Sequence, residues 1–242
     1  MRKDRIGEKF KNKKGENYTI IEYNTFKDCV IQFEDGTIIK NLIYSNVRKG
    51  EVKNPNFPAI LGVGYIGVGK YKASDDNKKH NKIYLTWYCM FQRCYSELHQ
   101  IKAKTYKDCS VVEEWHNFQN FAQWYEDNWK PWMDNKWQLD KDILVKGNKV
   151  YSPETCAFVP REINVVFVNN LTIPLLSKRG NHYYPMYKKK HIGKFDNYEE
   201  ALKMFFMYKQ QHIDSLTDKW EDKLDERLFN TLKNFKLLDY VV

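Results

Sequence analysis

Asp140, Lys141 and Asp142 place two carboxylates and an amine at three consecutive positions. On a strand, where alternate side chains share a face, the two acids would project together and offer oxygen ligands to a hard cation such as Mg2+ or Mn2+. Lys141 between them is a candidate base only as a neutral amine, and flanking acids favour the charged form. Gly147-Asn148 and Asn164 follow closely in the chain, and Arg93 is a cation suited either to a phosphate or to a salt bridge at a core edge. His99 and His116 are remote candidates for a base. The same residues also fit a solvated strand edge, a hairpin turn at Gly147-Asn148 and a helix cap at Asn164. Cys94, Cys109 and Cys156 have no CxxC spacing, so buried thiols are expected and a structural zinc is not.

The elements that must position these groups are legible in part. Residues 138–170 read as a strand, a Gly-Asn turn, and a helix with Ser152 as N-cap and Pro153 at its first position. Before them, Tyr84, Tyr88, Phe91 and Tyr95, then Val112, Trp115, Phe118 and Tyr125, predict two aromatic-faced helices. Trp129, Trp132 and Trp137 lie in the connection that follows, to close the core or cover the site.

Residues 1–54 alternate short β-rich runs with turn signals and predict a small SH3-like β-barrel with a basic rim. Residues 55–80 carry Gly62, Gly64, Gly67 and Gly69 without an amphipathic helix directly behind them, so a Gly-rich linker or arm is expected and a dinucleotide loop is not. After Pro174 come two short strands, a helix from Tyr198, and a tail with Trp220, Leu224, Leu228 and Leu232 at four-residue spacing, an amphipathic helix. The fold class is therefore α+β in several small parts.

Lys and Arg number 40 against 31 Asp and Glu, a net charge of +9, which suits a polyanionic partner. No run approaches the roughly 18 to 20 apolar residues of a membrane span. Five cysteines and an opening MRKDRIGEKF without an apolar run point to a reduced, cytoplasmic protein.

Two resemblances sharpen this. The ordered string Leu139-Asp140-Lys141-Asp142, Gly147-Asn148, Ser152-Pro153-Glu154 and Asn164 resembles the phage-type HNH endonucleases over about 30 residues. The resemblance implies a ββα-metal core within residues 81–174, a double-stranded DNA substrate and a bacterial host cell. It also implies Asp140, with Asp142, as metal ligands, Asn148 as the residue orienting the nucleophile or its base, and Asn164 completing the site. Arg93 would touch the scissile phosphate. Lys141 stands where the family carries its general-base histidine, and Cys156 replaces the usual leucine of the helix.

The second string, YYPMYKKKHIGKFDNYEEALKMFFMYKQQHI from Tyr183, is similar to an AP2-type DNA-binding domain of three strands and a helix, implied for residues 175–242 with the C-terminal helix. Lys188, Lys189, Lys190 and Lys194 would sit on its strand face beside Tyr183 and Tyr187. The first of its three strands is not placed by the sequence. The expected function is metal-dependent DNA cleavage. The alternatives are an inactive DNA-binding protein or inhibitor of a nucleic-acid enzyme on the same scaffold, and a protein-binding module using the N-terminal barrel or the C-terminal helix. The two DNA-binding readings require affinity that falls with salt.

Overall fold

The computed structural model describes residues 4–168 and 176–237. In chain order the elements are β1 (Lys9–Lys11), β2 (Asn17–Thr25), β3 (Asp28–Phe33), β4 (Ile38–Leu42), α1 (Tyr44–Arg48), α2 (Lys82–Tyr95) and α3 (Glu97–Lys102). A 3-10 turn at Lys104–Tyr106 leads to β5 (Ser110–Val111), and a second at Glu113–His116 leads to α4 (Phe118–Asn128). Then come β6 (Trp137–Asp140), β7 (Val150–Tyr151), β8 (Ala157–Pro160), α5 (Arg161–Val168), β9 (Ser177–Arg179), β10 (His182–Tyr184), β11 (Met186–Tyr187) and β12 (Lys190–His191). The last described elements are α6 (Tyr198–Trp220), a 3-10 turn and α7 (Glu226–Asn234). Mixed α/β structure is therefore observed, with small sheets. Among the described residues no helix is long and apolar enough to cross a membrane.

Two compact units emerge: Met1–Gln92 with Glu113–Ala122, and Arg93–Val112 with Gln123–Val242. In the first, β1 to β4 form an antiparallel meander. Alternation along β2 and β3 buries Tyr18, Ile20, Cys29, Ile31 and Phe33 against Val47 and Val52. The expected barrel is not closed: four strands, one of only three residues, leave β1 and β4 as the two ends of an open sheet. The turn at Glu34-Asp35-Gly36 forms as its residues dictate, with Asp35 Oδ1 accepting the Thr37 N–H at 2.9 Å and Gly36 at φ +87°.

Between Tyr65 and Tyr71 the glycine arm is hydrogen-bonded to the segment around Gln119. Tyr65 N–H donates to the His116 carbonyl, and the Tyr65 carbonyl accepts from Phe118 N–H, both at 2.9 Å. The Gln119 amide donates to the carbonyls of Ile66 and Tyr71, each at 3.0 Å, and accepts the Tyr71 N–H at 2.9 Å. A Cβ on Gly67, whose φ is +73°, would lie 2.1 Å from Asn117 Oδ1, and one on Gly69 would lie 2.3 Å from Gln119 Oε1, so a side chain at either position would have to displace one of these amides. Behind the arm, Tyr84, Trp87 and Phe91 of α2 pack with Phe118, and Trp87 Nε1 donates to the Trp115 carbonyl at 2.8 Å. The buried stripe of α2 runs through Trp87 and Met90, while Tyr88 and Tyr95 are only half-buried.

In the second unit β6 pairs antiparallel with β8, setting Asp140 opposite Ala157, and α5 follows directly. β7 pairs in parallel with β5. The helix expected at Ser152 is one tight turn: Ser152 Oγ accepts Thr155 N–H at 3.3 Å and the Ser152 carbonyl accepts Cys156 N–H at 3.0 Å. The cap residue acts as expected, but pairing with β6 claims Ala157–Pro160 for the sheet. The Arg227 guanidinium donates to the carbonyls of Pro153 and Glu154, each at 3.1 Å, and of Cys156 at 3.3 Å, taking acceptors a helix would have used.

After the described residues resume, β9, a strand that the sequence did not place, forms an antiparallel hairpin with β10. Tyr183 pairs with Lys178 on one side and bridges Phe195 on the other, so three antiparallel lines precede α6. Asn197 caps α6 by accepting Glu199 N–H at 2.7 Å. The tail is not one helix from Thr217. α6 ends at Trp220, and Asp225 caps a separate α7.

The ββα unit and the C-terminal helices share one core. Ala157 and Val159 of β8 and Ile163 and Val166 of α5 belong to the same cluster as Phe205, Ile213, Leu228 and Leu232. Leu228 and Leu232 are fully buried, so these two leucines of the tail pack into this core. The expected boundary between residues 174 and 175 lies outside the described residues.

Candidate functional site

Along β6, Trp137 and Leu139 are buried while Gln138 and Asp140 take the other face. Asp140 ends the strand by turning its own side chain onto the chain ahead: Oδ1 accepts N–H of Asp142 at 2.7 Å and of Ile143 at 2.8 Å. Asp142 therefore leaves the strand, and the expectation that both acids share a strand face fails for this reason. Asp140 Oδ2 takes no hydrogen bond among the described residues. Burial pushes the Asp140 carboxyl up, against the two backbone N–H groups that favour its ionised form.

Lys141 is buried, and its ammonium donates to the Asp142 carboxylate and, at 3.0 Å, to the Asn148 carbonyl. It lies 5.6 Å from the Tyr151 ring centroid. Both hydrogen bonds tie the amine to the loop between β6 and β7. Asn148 returns the contact: its amide donates to the carbonyls of Lys141 at 2.8 Å and Val150 at 2.7 Å, and accepts Val150 N–H at 3.1 Å. Its side chain is thus committed to holding the loop that carries Asp142.

Asn148→Ala removes all three bonds and is expected to lower the unfolding free energy by about 2 kcal/mol, since each net hydrogen bond contributes roughly 0.5–1.5 kcal/mol. Urea titration reads the change. An unaltered midpoint would show that the loop holds its shape without this amide.

Arg93 reaches the cluster through Tyr151, with Nη1 at 3.5 Å from the phenol oxygen, and its guanidinium lies 5.5 Å from the Tyr106 ring centroid. Burial drives the Tyr151 phenol far above the ordinary tyrosine value. Asn164, on α5, donates Nδ2 to Gln138 Oε1 at 3.0 Å, which brings it to β6 two positions from Asp140. Its Oδ1 is buried and has no donor among the described residues. The structure thus gathers Asp140, Lys141, Asp142, Asn148 and Arg93 around one loop and sets Asn164 against the strand that leads to it. Tyr106, Tyr151 and Gln138 belong to the same cluster; an isolated tyrosine or glutamine gives no spacing signal by which sequence reasoning could have found it.

Cys94, Cys109 and Cys156 are all buried, and burial pushes the thiols of Cys94 and Cys156 up to about 12. Among the described residues no group of three or more His, Cys, Asp or Glu side chains is placed to hold a metal ion. His99 stands with its ring centroid 5.9 Å from that of Tyr106, whereas the His116 ring packs beside Phe91 in the first unit.

In the C-terminal module the basic residues are arranged differently from expectation. Lys188 and Lys189 have φ of +48° and +64° and form the two-residue turn between β11 and β12, so they occupy the hairpin tip and not the strand face. A two-residue hairpin favours such left-handed pairs because their twist matches the strands. Lys190 is on β12 and Lys194 beyond it, both exposed. Tyr187 packs against Phe205 at 5.7 Å and shares a hydrogen bond of 2.8 Å with His212, while Tyr183 packs against Tyr198 at 5.4 Å. Both tyrosines face α6. Lys178 and Arg179 of β9 are exposed cations that the sequence reading did not single out.

The chain was compared with protein families, curated proteins and solved structures. It matches none of them.

Proposed function

We propose that this protein binds double-stranded DNA and hydrolyses its phosphodiester backbone with Mg2+ or Mn2+ held by Asp140 and Asp142. The observation that carries the reading is Asp140 itself. It is a carboxyl raised by burial, with one oxygen that takes no hydrogen bond among the described residues, at the end of the first strand of a ββα unit. Such a group fits a cation that would keep it ionised. With only two carboxylates at hand, the remaining positions fall to water and phosphate, as Mg2+ accepts. When bound, the cation would offset the charge that develops on the scissile phosphate. Arg93 would add a second positive charge, Lys141 and Asn148 hold the loop in place, and the buried Oδ1 of Asn164 supplies an acceptor beside β6.

DNA affinity is carried by the exposed cations of β9, the β11–β12 tip and Lys194. It is expected to fall steeply as salt rises, because each phosphate contact releases condensed counterions. Replacing Lys188, Lys189 and Lys190 with Ala should reduce the slope of log affinity against log salt by about 2–3, at roughly 0.9 per phosphate neutralised. An unchanged slope would remove the hairpin tip from the interface.

A second reading, DNA binding without cleavage, is favoured by one specific observation: the position where HNH enzymes carry a basic histidine holds Lys141, fully engaged with Asp142 and Asn148. Nicking of supercoiled plasmid in Mg2+ and Mn2+ separates the two. Binding without nicking on any duplex substrate would leave the second reading standing.

A further inference from the structure

We propose that α3 and the turn after it form a DNA-docking wedge, in which Leu98 and Ile101 press against the bases of a duplex while Lys102, Lys104 and Lys107 hold the flanking phosphates. The inference rests on the DNA-binding reading above and adds a contact surface to it.

Leu98 and Ile101 are 75% and 72% exposed, more open than any other large apolar residue described in the second unit. They lie three residues apart on a helix, so they share one face. None of the residues of α3 is buried. Polar anchors hold the helix instead: Ser96 caps it by accepting His99 N–H at 3.4 Å, and the Gln100 amide donates to the Cys94 carbonyl. A helix fixed by its backbone ends, with its apolar pair turned outward, is arranged for something beyond this chain's own core.

Charge decides what that is. From Glu97 to Asp108 the chain carries three lysines, all between the two acids at its ends, so the stretch is net positive. Among the described residues none of these lysines forms an ion pair. A second copy of a chain of net charge +9 is a poor match for this surface, whereas a duplex presents phosphates at its rim and apolar base faces within reach. Leu and Ile are among the side chains that enter between base steps, partly unstacking them and bending the helix.

The wedge also adjoins the candidate site. Lys149 Nζ donates to the Thr105 carbonyl at 3.0 Å, and Ser110 pairs with Val150 across β5 and β7. Arg93, 5.5 Å from the Tyr106 ring centroid, stands between the wedge and Tyr151. A duplex seated on α3 therefore meets the loop of Asp142 and Asn148 without leaving this unit.

The test uses the full chain, a fluorescein-labelled duplex titrated across salt concentrations, and a second duplex with 2-aminopurine at successive positions. The double variant Leu98→Ser, Ile101→Ser should lose at least tenfold in affinity and all of the 2-aminopurine brightening, while its salt slope stays that of wild type. The triple variant Lys102→Ala, Lys104→Ala, Lys107→Ala should instead flatten the slope by about 2–3. Neither set touches a buried side chain, so circular dichroism and melting should be unchanged. Wild-type affinity and brightening in the double variant would overturn the wedge while leaving DNA binding intact. Conversion of a dimer to a monomer by the double variant would assign the surface to self-association and overturn it too. Absence of any wild-type DNA binding would remove the underlying reading along with it.

Discussion

If the proposed reading holds, Asp140→Asn is expected to abolish cation-dependent nicking while leaving the fold and the cation-free affinity for DNA in place. Asn keeps the oxygen that accepts the N–H groups of Asp142 and Ile143, so the strand end and the loop it starts are preserved. What is lost is the charge that would bind the metal. The effect on stability runs opposite to that on activity. Burial raises the carboxyl of folded Asp140 above its unfolded value, so the folded state holds the proton more tightly. The stabilisation that Asp140 contributes is full below the unfolded value and is lost as pH rises through the folded one. At neutral pH without a cation the charged group costs stability, and the Asn variant should melt at or above the wild-type temperature. Mg2+ should then raise melting of the wild type and leave the variant unmoved, with the wild-type response fading on acidification at a higher pH than an ordinary carboxylate would give. Calorimetry at several pH values with and without Mg2+ checks each part. A variant that still responds to Mg2+ would place the cation elsewhere.

Leu232→Ala has the largest expected effect on stability, about 2–5 kcal/mol, because the side chain is fully buried and its removal leaves a cavity. Its core also contains Val159 and Ile163, so the damage should not stay in the tail. Hydrogen exchange is expected to speed up together at the amides of α7, β8 and α5. Glu162 on α5 adds to the coupling, accepting from Lys219 Nζ at 2.6 Å and from Trp220 Nε1. Loss of protection confined to α7 would show that the tail is a separable appendage.

The parts of the fold that were legible in the sequence are those where one pattern had one meaning. Tyr18, Ile20, Cys29, Ile31 and Phe33 alternate because one face of a sheet is buried, and the Asp35-Gly36 turn declares itself by its chemistry. Ser152-Pro153-Glu154 was ambiguous in kind: a serine that accepts a backbone N–H three residues on begins a helix or makes a single turn, and the choice was made by the pairing of β8 with β6. Asp142 was misplaced because an aspartate at a strand end can cap its own loop, which breaks the alternation that would have kept it beside Asp140. Ser177–Arg179 carries no apolar residue at all, so β9 had no pattern to find; its partner strand creates it. The four-residue leucine spacing of the tail was real at Leu228 and Leu232, but α6 stops at Trp220 and Asp225 caps a new helix within the run. Of the site, the acids and the Asn148 turn were visible by residue type. The engagement of Lys141 with Asn148 was not, because it depends on a loop closing over seven residues.

Gly67 meets Asn117 and Gly69 meets Gln119, two steps along one segment against two steps along the other, while Tyr65 bridges Asn117 in parallel. That matched spacing makes the arm intolerant of length change. Inserting or deleting a single residue between Tyr65 and Tyr71 would bring a side chain against the Asn117 or Gln119 amide, or pull the Gln119 amide off one of its two carbonyls. A stretch whose composition invites treatment as a spacer therefore behaves as a ruler, and natural variation there should appear as substitution between the glycines and never as insertion.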